Sequence, residues 1–232
     1  MKFISVIPAR KGSKSIKNKN VIKIKNKPLI EYTFDQINKS KLSRKNSFVI
    51  SNDKRVKKIA KKNNINVDYV RPNILSTSKT SLLETLKHFV KWTENCKIEY
   101  NYLVVLQPTS PLRSYKDINK SIDIVNKKKS KCLLSLSESM EHPYESIFID
   151  KKKKLNFFLK KGTKYFRRQD FDLKSYFING AIYITSKDLI KKGKVIDYSQ
   201  SDFIVMNKMN SLDLNDYSEL KLIKSILSKN KC

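Results

Sequence analysis

Arg10, Ser13, Lys14 and Lys19 fall within one short run, Ala9-Arg10-Lys11-Gly12-Ser13-Lys14-Ser15-Ile16-Lys17-Asn18-Lys19-Asn20, directly after a proline-terminated apolar stretch. Cations spaced around a Gly-Ser turn suit a phosphate. The small residues let backbone N–H groups approach it, and Arg10, Lys14 and Lys19 add charge-assisted donors. The run is not a Walker loop, because Gly12-Ser13-Lys14-Ser15 lacks the upstream glycine and the adjacent Gly-Lys pair, and it has no G-x-G-x-x-G pattern. A basic surface loop is the other reading; a position after the first strand favours the anion site.

Three further runs could carry chemistry. In Leu106-Gln107-Pro108-Thr109-Ser110-Pro111-Leu112-Arg113, two prolines stiffen the chain around an amide and two hydroxyls. Gln107, Thr109 and Ser110 can each donate and accept, as a polyhydroxylated ligand requires. Arg167-Arg168-Gln169-Asp170 and Asn179-Gly180-Ala181-Ile182-Tyr183 form the third. In Ser211-Leu212-Asp213-Leu214-Asn215-Asp216, strand alternation places Asp213 and Asn215 on one face as two oxygen ligands for a hard cation, while Asp216 suits a helix cap. Three cysteines without paired spacing and two histidines exclude a disulfide framework and a thiolate zinc site. No Ser-His-Asp or Cys-His set is evident.

The elements that must position these residues alternate. Residues 3–7, 47–50, 67–70, 102–106 and 132–136 read as short strands. Helical spacing starts near Pro28, after Asp53, at Leu82 and at Asp117. The wholly apolar run at 102–106 belongs in a sheet covered on both faces. The pattern predicts an α/β fold with a mostly parallel, Rossmann-like sheet. The rhythm breaks after Ser137. Residues 147–149 and 155–159 flank a lysine turn at 151–154 and read as a hairpin within an inserted β-rich arm, 140–176, dividing the main domain into 1–139 and 177–232. Strands at 181–185 and 203–206 and a helix at 217–227 complete it. The four lysines of the turn read as solvated.

The chain has 232 residues and a net charge of +29, and 39% of it is hydrophobic, enough for a folded core. The charge invites a nucleic-acid partner, yet Lys supplies 43 of the 50 basic residues, beside 20 Asn and 25 Ile. AT-rich codons explain all three, and the lysines are spread along the chain rather than clustered with aromatics. A basic RNA-binding protein is therefore the alternative from another class, and no nucleic-acid partner is expected. No apolar run reaches the roughly 18 residues of a membrane span, and the N-terminal run is too short for a signal peptide, so a cytoplasmic location is expected.

Together the runs resemble the acylneuraminate cytidylyltransferases, the enzymes that make CMP-activated nonulosonic acids, from Ile7 to about Leu222. The family loop A-R-x-x-S-K-x-[LI]-x-x-K-N is met at residues 9–20, and L-Q-P-T-S-P-L-R and N-G-A-I-Y occur without a gap. The resemblance implies a nucleotide-diphospho-sugar transferase type of fold, CTP and a nonulosonic acid as substrates, Mg²⁺, and a homodimer held by the arm. Arg10, Gly12, Ser13, Lys14 and Lys19 would then hold the triphosphate, with Asn20, Arg71, Thr80 and Ser81 around the nucleotide. Gln107, Thr109, Ser110, Asn179 and Tyr183 would line the sugar site, and Arg168 would reach the neighbouring subunit's sugar. Asp213 would bind the metal, joined by Asn215, and Arg10, Lys14, Lys19 and Asp213 would form the catalytic set. Three positions depart from the family pattern. Asn215 stands for the second acid of D-x-D, Tyr176-Phe177-Ile178 precedes Asn179 where an arginine often precedes P-N-G-A, and Tyr144-Glu145 follows His142-Pro143 where a lysine is common. These leave neuraminic, legionaminic and pseudaminic acids as substrates of equal standing. A Kdo-type enzyme, which carries an acidic residue after the central strand, or one using another base, is the closer rival.

Overall fold

Residues 102–106, Tyr-Leu-Val-Val-Leu, are buried at every position, and the sheet is built around them. The computed structural model describes residues 1–13, 15–160, 167, 171 and 173–229. In chain order the strands are β1 (Phe3–Pro8), β2 (Lys23–Ile24), β3 (Lys27–Pro28), β4 (Ser47–Ile50), β5 (Tyr102–Leu106), β6 (Cys132–Glu138), β7 (Ile147–Ile149), β8 (Leu155–Phe157), β9 (Tyr176–Ser186) and β10 (Ser201–Val205). The helices are α1 (Leu29–Lys39), α2 (Lys54–Lys62), α3 (Leu82–Asn95), α4 (Tyr115–Lys128), α5 (Lys187–Lys191) and α6 (Tyr217–Lys229). Six strands form one sheet in the order β10-β6-β9-β5-β1-β4. β1 pairs parallel with β4 and β5, and β10 with β6, whereas β9 runs antiparallel between β5 and β6. The mostly parallel α/β expectation is met.

Alternation along β5 sends Val104 and Leu106 to one face and Leu103 and Val105 to the other. On the first face they meet Ile30 and Phe34 of α1, Val56 of α2 and Ile122 of α4. On the second they meet Leu86, Phe89 and Val90 of α3. Helix starts follow local chemistry. Asp53 caps α2 through the Arg55 N–H at 3.0 Å, and Ser81 and Ser114 form capping boxes with Glu84 and Asp117.

A third, smaller cluster gathers Ile16, Ile24, Leu29, Leu214, Leu220 and Ile223. It joins the first loop, the β2–β3 hairpin, the start of α1, the loop after β10 and α6. The hairpin turns on Lys25 and Asn26, both at positive φ (48° and 62°), as a two-residue reversal demands.

Two sequence expectations are corrected. Residues 67–70 are not a strand: Asn66 makes a single bridge to Phe48, with backbone bonds to Ser47 and Val49, after which the segment leaves the sheet edge. Residues 213–215 are not a strand either, but part of an irregular loop ahead of α6, so alternation does not govern them. The hairpin of the arm forms as read, with Asp150 Oδ1 accepting from the Lys152 and Lys154 N–H groups (2.8 and 2.9 Å) and the lysines in solvent.

Candidate active site

Parallel pairing makes the loops after β1, β4 and β5 leave the same edge of the sheet, and β9, running the other way, begins at that edge. Ligands of open α/β sheets bind at such an edge. The first loop is tied to its neighbour: Ala9 N–H donates to the Ile50 carbonyl (3.0 Å), Ser51 Oγ to the Ala9 carbonyl (2.6 Å), and Lys11 N–H to Asn52 Oδ1 (2.8 Å). Asn20 Nδ2 donates to the Arg10 carbonyl (3.0 Å), and an Arg10 guanidinium nitrogen to the Gly12 carbonyl (2.7 Å). Gly12 has φ +86° and open space where a Cβ would stand, so backbone conformation rather than room calls for glycine. Ser13 is half-buried in this loop, and Lys14 lies outside the described residues.

Arg71 is buried, donating to the Leu75 carbonyl (2.9 and 2.6 Å) and to Thr85 Oγ1 (3.0 Å). Burial depresses its pKa; the neighbouring Tyr69 opposes this and the charge of Arg10 adds to it. Burial likewise lowers Lys19, against the pull of Asp213, Glu219 and Asp216, and Arg10 again adds to the lowering. The charge of Arg10 thus bears on both Lys19 and Arg71, a repulsion that a bound anion would relieve. Lys19 Nζ donates to the carbonyls of Leu214 (2.7 Å) and Asn215 (3.1 Å), which leaves one of its three donors for a ligand. Thr80 bonds Thr77 Oγ1 (2.9 Å) beside this region, while Ser81 spends its hydroxyl on the α3 cap.

Between β6 and β9 the register slips. Leu134 faces Tyr183 but Leu136 faces Ile178, so β9 bulges at Asn179-Gly180-Ala181. Gly180 has φ +70°, and a Cβ there would meet Gln107 Nε2 at 3.4 Å and Tyr183 Oη at 3.7 Å. The bulge therefore aims Gln107 and Tyr183 at one spot, as the sequence reading required of sugar-site residues. Burial raises the Tyr183 phenol, helped by Tyr198 and Asp213.

Two other expected sugar ligands are engaged differently. Asn179 Oδ1 accepts from Ser135 Oγ (2.6 Å) and the Ala181 N–H (3.1 Å), while its Nδ2 donates to Ser211 Oγ (3.1 Å) and Met206 Sδ (3.6 Å). The amide is saturated inside the protein and builds the bulge. Ser110 is 1% exposed with its hydroxyl turned inward, because successive tight turns (Ser110 N–H to the Gln107 carbonyl, Arg113 N–H to the Ser110 carbonyl) fold the loop over it. Thr109 lies against Asp213, and its carbonyl accepts the Leu214 N–H at 2.7 Å. Arg168 lies outside the described residues.

Sequence reasoning missed Arg113. It is 1% exposed and donates to the carbonyls of Gln107 (3.0 Å) and Ala181 (2.8 Å) and to Thr33 Oγ1 (2.9 Å). Burial pushes the guanidinium down to about 9, so it remains charged at neutral pH. The terminal Arg of its Pro-rich run was the available signal.

Asp213 lines a cleft of about 590 Å³ together with Gln107, Met140, Phe177, Gly180 and Lys208 among others. Burial raises its pKa; Thr109, Lys19 and Asn215 draw it down, and Glu219 pushes it up. Thr109 Oγ1 is buried beside Asp213. Among the described residues no group of three acids, cysteines or histidines converges as a ready-made metal cage. A partly desolvated carboxylate that is costly to ionise alone fits a hard cation whose other ligands are phosphate oxygens and water. Asn215 is exposed, its amide nitrogen facing Glu219 Oε1 (3.4 Å) and its side chain also bearing on Asp213. Asp216 caps α6 as read, accepting from the N–H groups of Ser218 (2.8 Å) and Glu219 (3.0 Å). Asp216→Ala is expected to cost about 1 kcal/mol in chemical denaturation and to leave the cleft's function intact.

Residues 4–219 match the cytidylyltransferase family. The chain is 30% identical over 230 residues to the N-acylneuraminate cytidylyltransferase of Escherichia coli O18:K1:H7, covering 98% of this chain and 52% of that protein. It is 25% identical to the CMP-N,N'-diacetyllegionaminic acid synthase of Legionella pneumophila, covering 100% of this chain and 98% of that one. With the pseudaminic acid cytidylyltransferase of Campylobacter jejuni it shares 26% identity over 99% and 98% of the two chains. The chain spans about half the length of the N-acylneuraminate cytidylyltransferases it matches. Among solved structures, CMP:2-keto-3-deoxy-manno-octonic acid synthetase complexed with CTP shares the fold, with a TM-score of 0.70 over 99% of each chain at 14% identity.

Proposed function

Since the chain belongs to the cytidylyltransferase family, we propose that it transfers a cytidylyl group from CTP to a nonulosonic acid. The anomeric hydroxyl forms a new O–P bond at the α-phosphorus and gives up its proton, the α–β P–O bond breaks, and pyrophosphate leaves. The observation that carries this reading is the seat of Lys19 on the Leu214 and Asn215 carbonyls beside Asp213, where the first loop touches the loop before α6, with the charge of Arg10 acting on both Lys19 and Arg71. The cations neutralise and position the triphosphate, and Gln107 and Tyr183 orient the sugar ring beside Gly180. Mg²⁺, held by Asp213 and the substrate's own oxygens, would supply charge neutralisation and acidify the attacking hydroxyl. Relatives that match over 98% of their length include a legionaminic acid and a pseudaminic acid enzyme by name, which supports a surface-glycan precursor of that kind.

Pyrophosphate release over a panel of nonulosonic acids crossed with CTP, UTP, ATP and GTP tests the reading: release with CTP and one such acid is expected, and none with any pair overturns it. Arg10→Ala and Lys19→Ala are each expected to lower kcat/KM about 100-fold while melting normally, the usual scale for one lost contact to developing charge. Near-wild-type turnover in both would remove the triphosphate assignment.

The reading includes a homodimer formed through the arm. Both Phe157 and Phe158 are exposed, beside Ile149 and Leu155 at 69% and 68% exposure, and the Phe148 and Phe158 rings lie 5.1 Å apart. An isolated hairpin this apolar is marginal in water, and a second copy would cover it. Sedimentation at micromolar concentration should show a species of about twice 27.1 kDa, and a solely monomeric boundary would count against the dimer. Among the described residues no helix is long and apolar enough to cross a membrane, and the reading places the reaction in the cytoplasm, where CTP is held.

A further inference from the structure

The charges that line the cleft are unbalanced for an acidic sugar. Glu138, Asp213 and Glu219 line it, and Lys208 is the one cation lining it among the described residues. In a chain with 50 basic and 21 acidic residues this local reversal is specific to the cleft. A sugar acid entering past these carboxylates gains from the cation that Lys208 places on the lining.

We propose that Lys208 binds the carboxylate of the sugar acid, a role that rests on the cytidylyl-transfer reading. Its side chain is exposed and takes part in no hydrogen bond or ion pair among the described residues, so the ammonium is free for a ligand. Its backbone is fixed. The Ser211 N–H donates to the Asn207 and Lys208 carbonyls (3.1 and 3.2 Å), Ser211 Oγ to the Asn207 carbonyl (2.8 Å), and the Met209 N–H to Asn207 Oδ1 (2.8 Å). Ser211 in turn holds Asn179 (3.1 Å), which builds the bulge beside Gln107 and Tyr183. The same loop reaches Asp213 five residues later.

Substrate chemistry asks for this placement. In a 2-keto acid the carboxyl carbon is bonded to the anomeric carbon whose hydroxyl attacks, so the carboxylate cannot lie far from the metal-side carboxylate. A cation on the Asp213 loop, facing the sugar end of the cleft, meets that requirement. It also gives a means of discrimination, because a neutral sugar leaves Lys208 unpaired and the acidic walls unopposed.

Steady-state kinetics of wild type, Lys208→Gln and Lys208→Arg test the assignment, using the acid that the wild type accepts and its C1 methyl ester. Lys208→Gln should raise KM for the acid about 10- to 100-fold, the scale of a lost charged hydrogen bond, with KM for CTP and the melting temperature unchanged. Lys208→Arg should recover most of the loss, and the preference for acid over ester should collapse in Lys208→Gln. An unchanged sugar KM, or a rise in KM for CTP instead, overturns it. A wild type inactive with every nonulosonic acid overturns the underlying reading as well, and that failure shows before any variant is made.

Discussion

Asp213→Asn is expected to abolish turnover, to leave CTP affinity within a few-fold of wild type in the absence of metal, and to raise the unfolding midpoint at pH 7. Turnover is lost because the amide is neutral and a poorer ligand for a hard cation. CTP binding survives because Arg10, Lys19 and Arg71 remain. The gain in stability follows from linkage. Burial raises the Asp213 pKa in the folded state above its unfolded value, so the folded state favours the proton. Stability from this group is complete below the unfolded pKa and is lost as pH rises through the folded one. At pH 7 the ionised carboxylate therefore costs stability, and a neutral isostere removes that cost. Calorimetric titration with CTP, pyrophosphate release against Mg²⁺ concentration and thermal melts read the three effects separately. If Asp213→Asn were active while Asp216→Ala were dead, the metal ligand would lie at the start of α6 instead.

Arg113→Met is expected to cost about 3–5 kcal/mol in urea denaturation and to weaken sugar use in whatever protein still folds. Methionine fills much of the volume but donates nothing. The Ala181 carbonyl and the Thr33 hydroxyl then lose the guanidinium donor, at roughly 1–3 kcal/mol for each buried group left unsatisfied, and the Gln107 carbonyl keeps only the longer bond from the Ser110 N–H. Arg113→Lys should not rescue the loss fully, because a single ammonium cannot span the acceptors that the planar fork reaches on three separate elements. A cost below about 1 kcal/mol for Arg113→Met would show that these acceptors find other donors. The effect on sugar use follows because Gln107 and the Gly180 bulge are the two segments that the guanidinium ties together.

Features encoded over a few neighbouring residues could be read from the sequence. The apolar run at 102–106, the Asp53 and Asp216 caps and the Asp150-Lys154 turn each depend on local spacing, and each stands where expected. Residues 67–70 have strand-like composition, but a strand needs a partner, and beyond Asn66 the edge of β4 gives none. The site was legible as residue types and not as orientations. Ser110 and Asn179 are chemically able to bind a sugar, yet which way they face is decided by a double turn between two prolines and by a bulge that spacing does not reveal. Arg113 was hidden for a related reason: its three partners come from residues 33, 107 and 181, and nothing in its own neighbourhood announces a buried charge. The arm's hairpin was readable, but the exposure of both adjacent phenylalanines was not, since alternation alone would have hidden one of them.

The small apolar cluster around Ile16 and Leu214 bears on how the protein comes into being. It brings the second-made part of the chain against the first, and Lys19 reaches a carbonyl 195 residues further on. Contacts so distant in sequence form late, after the sheet's nearer pairings have closed the intervening loops. During synthesis, β1, β4 and β5 can pair while Ile16, Ile24 and Leu29 still lack their cover, and Lys19 has neither of its carbonyl acceptors. The first loop therefore stays without its cover on a nascent chain until residues near 214 have been made. Only the arrival of Leu214 and α6 closes it, so the loop takes its final form once α6 has emerged rather than with the strand that precedes it.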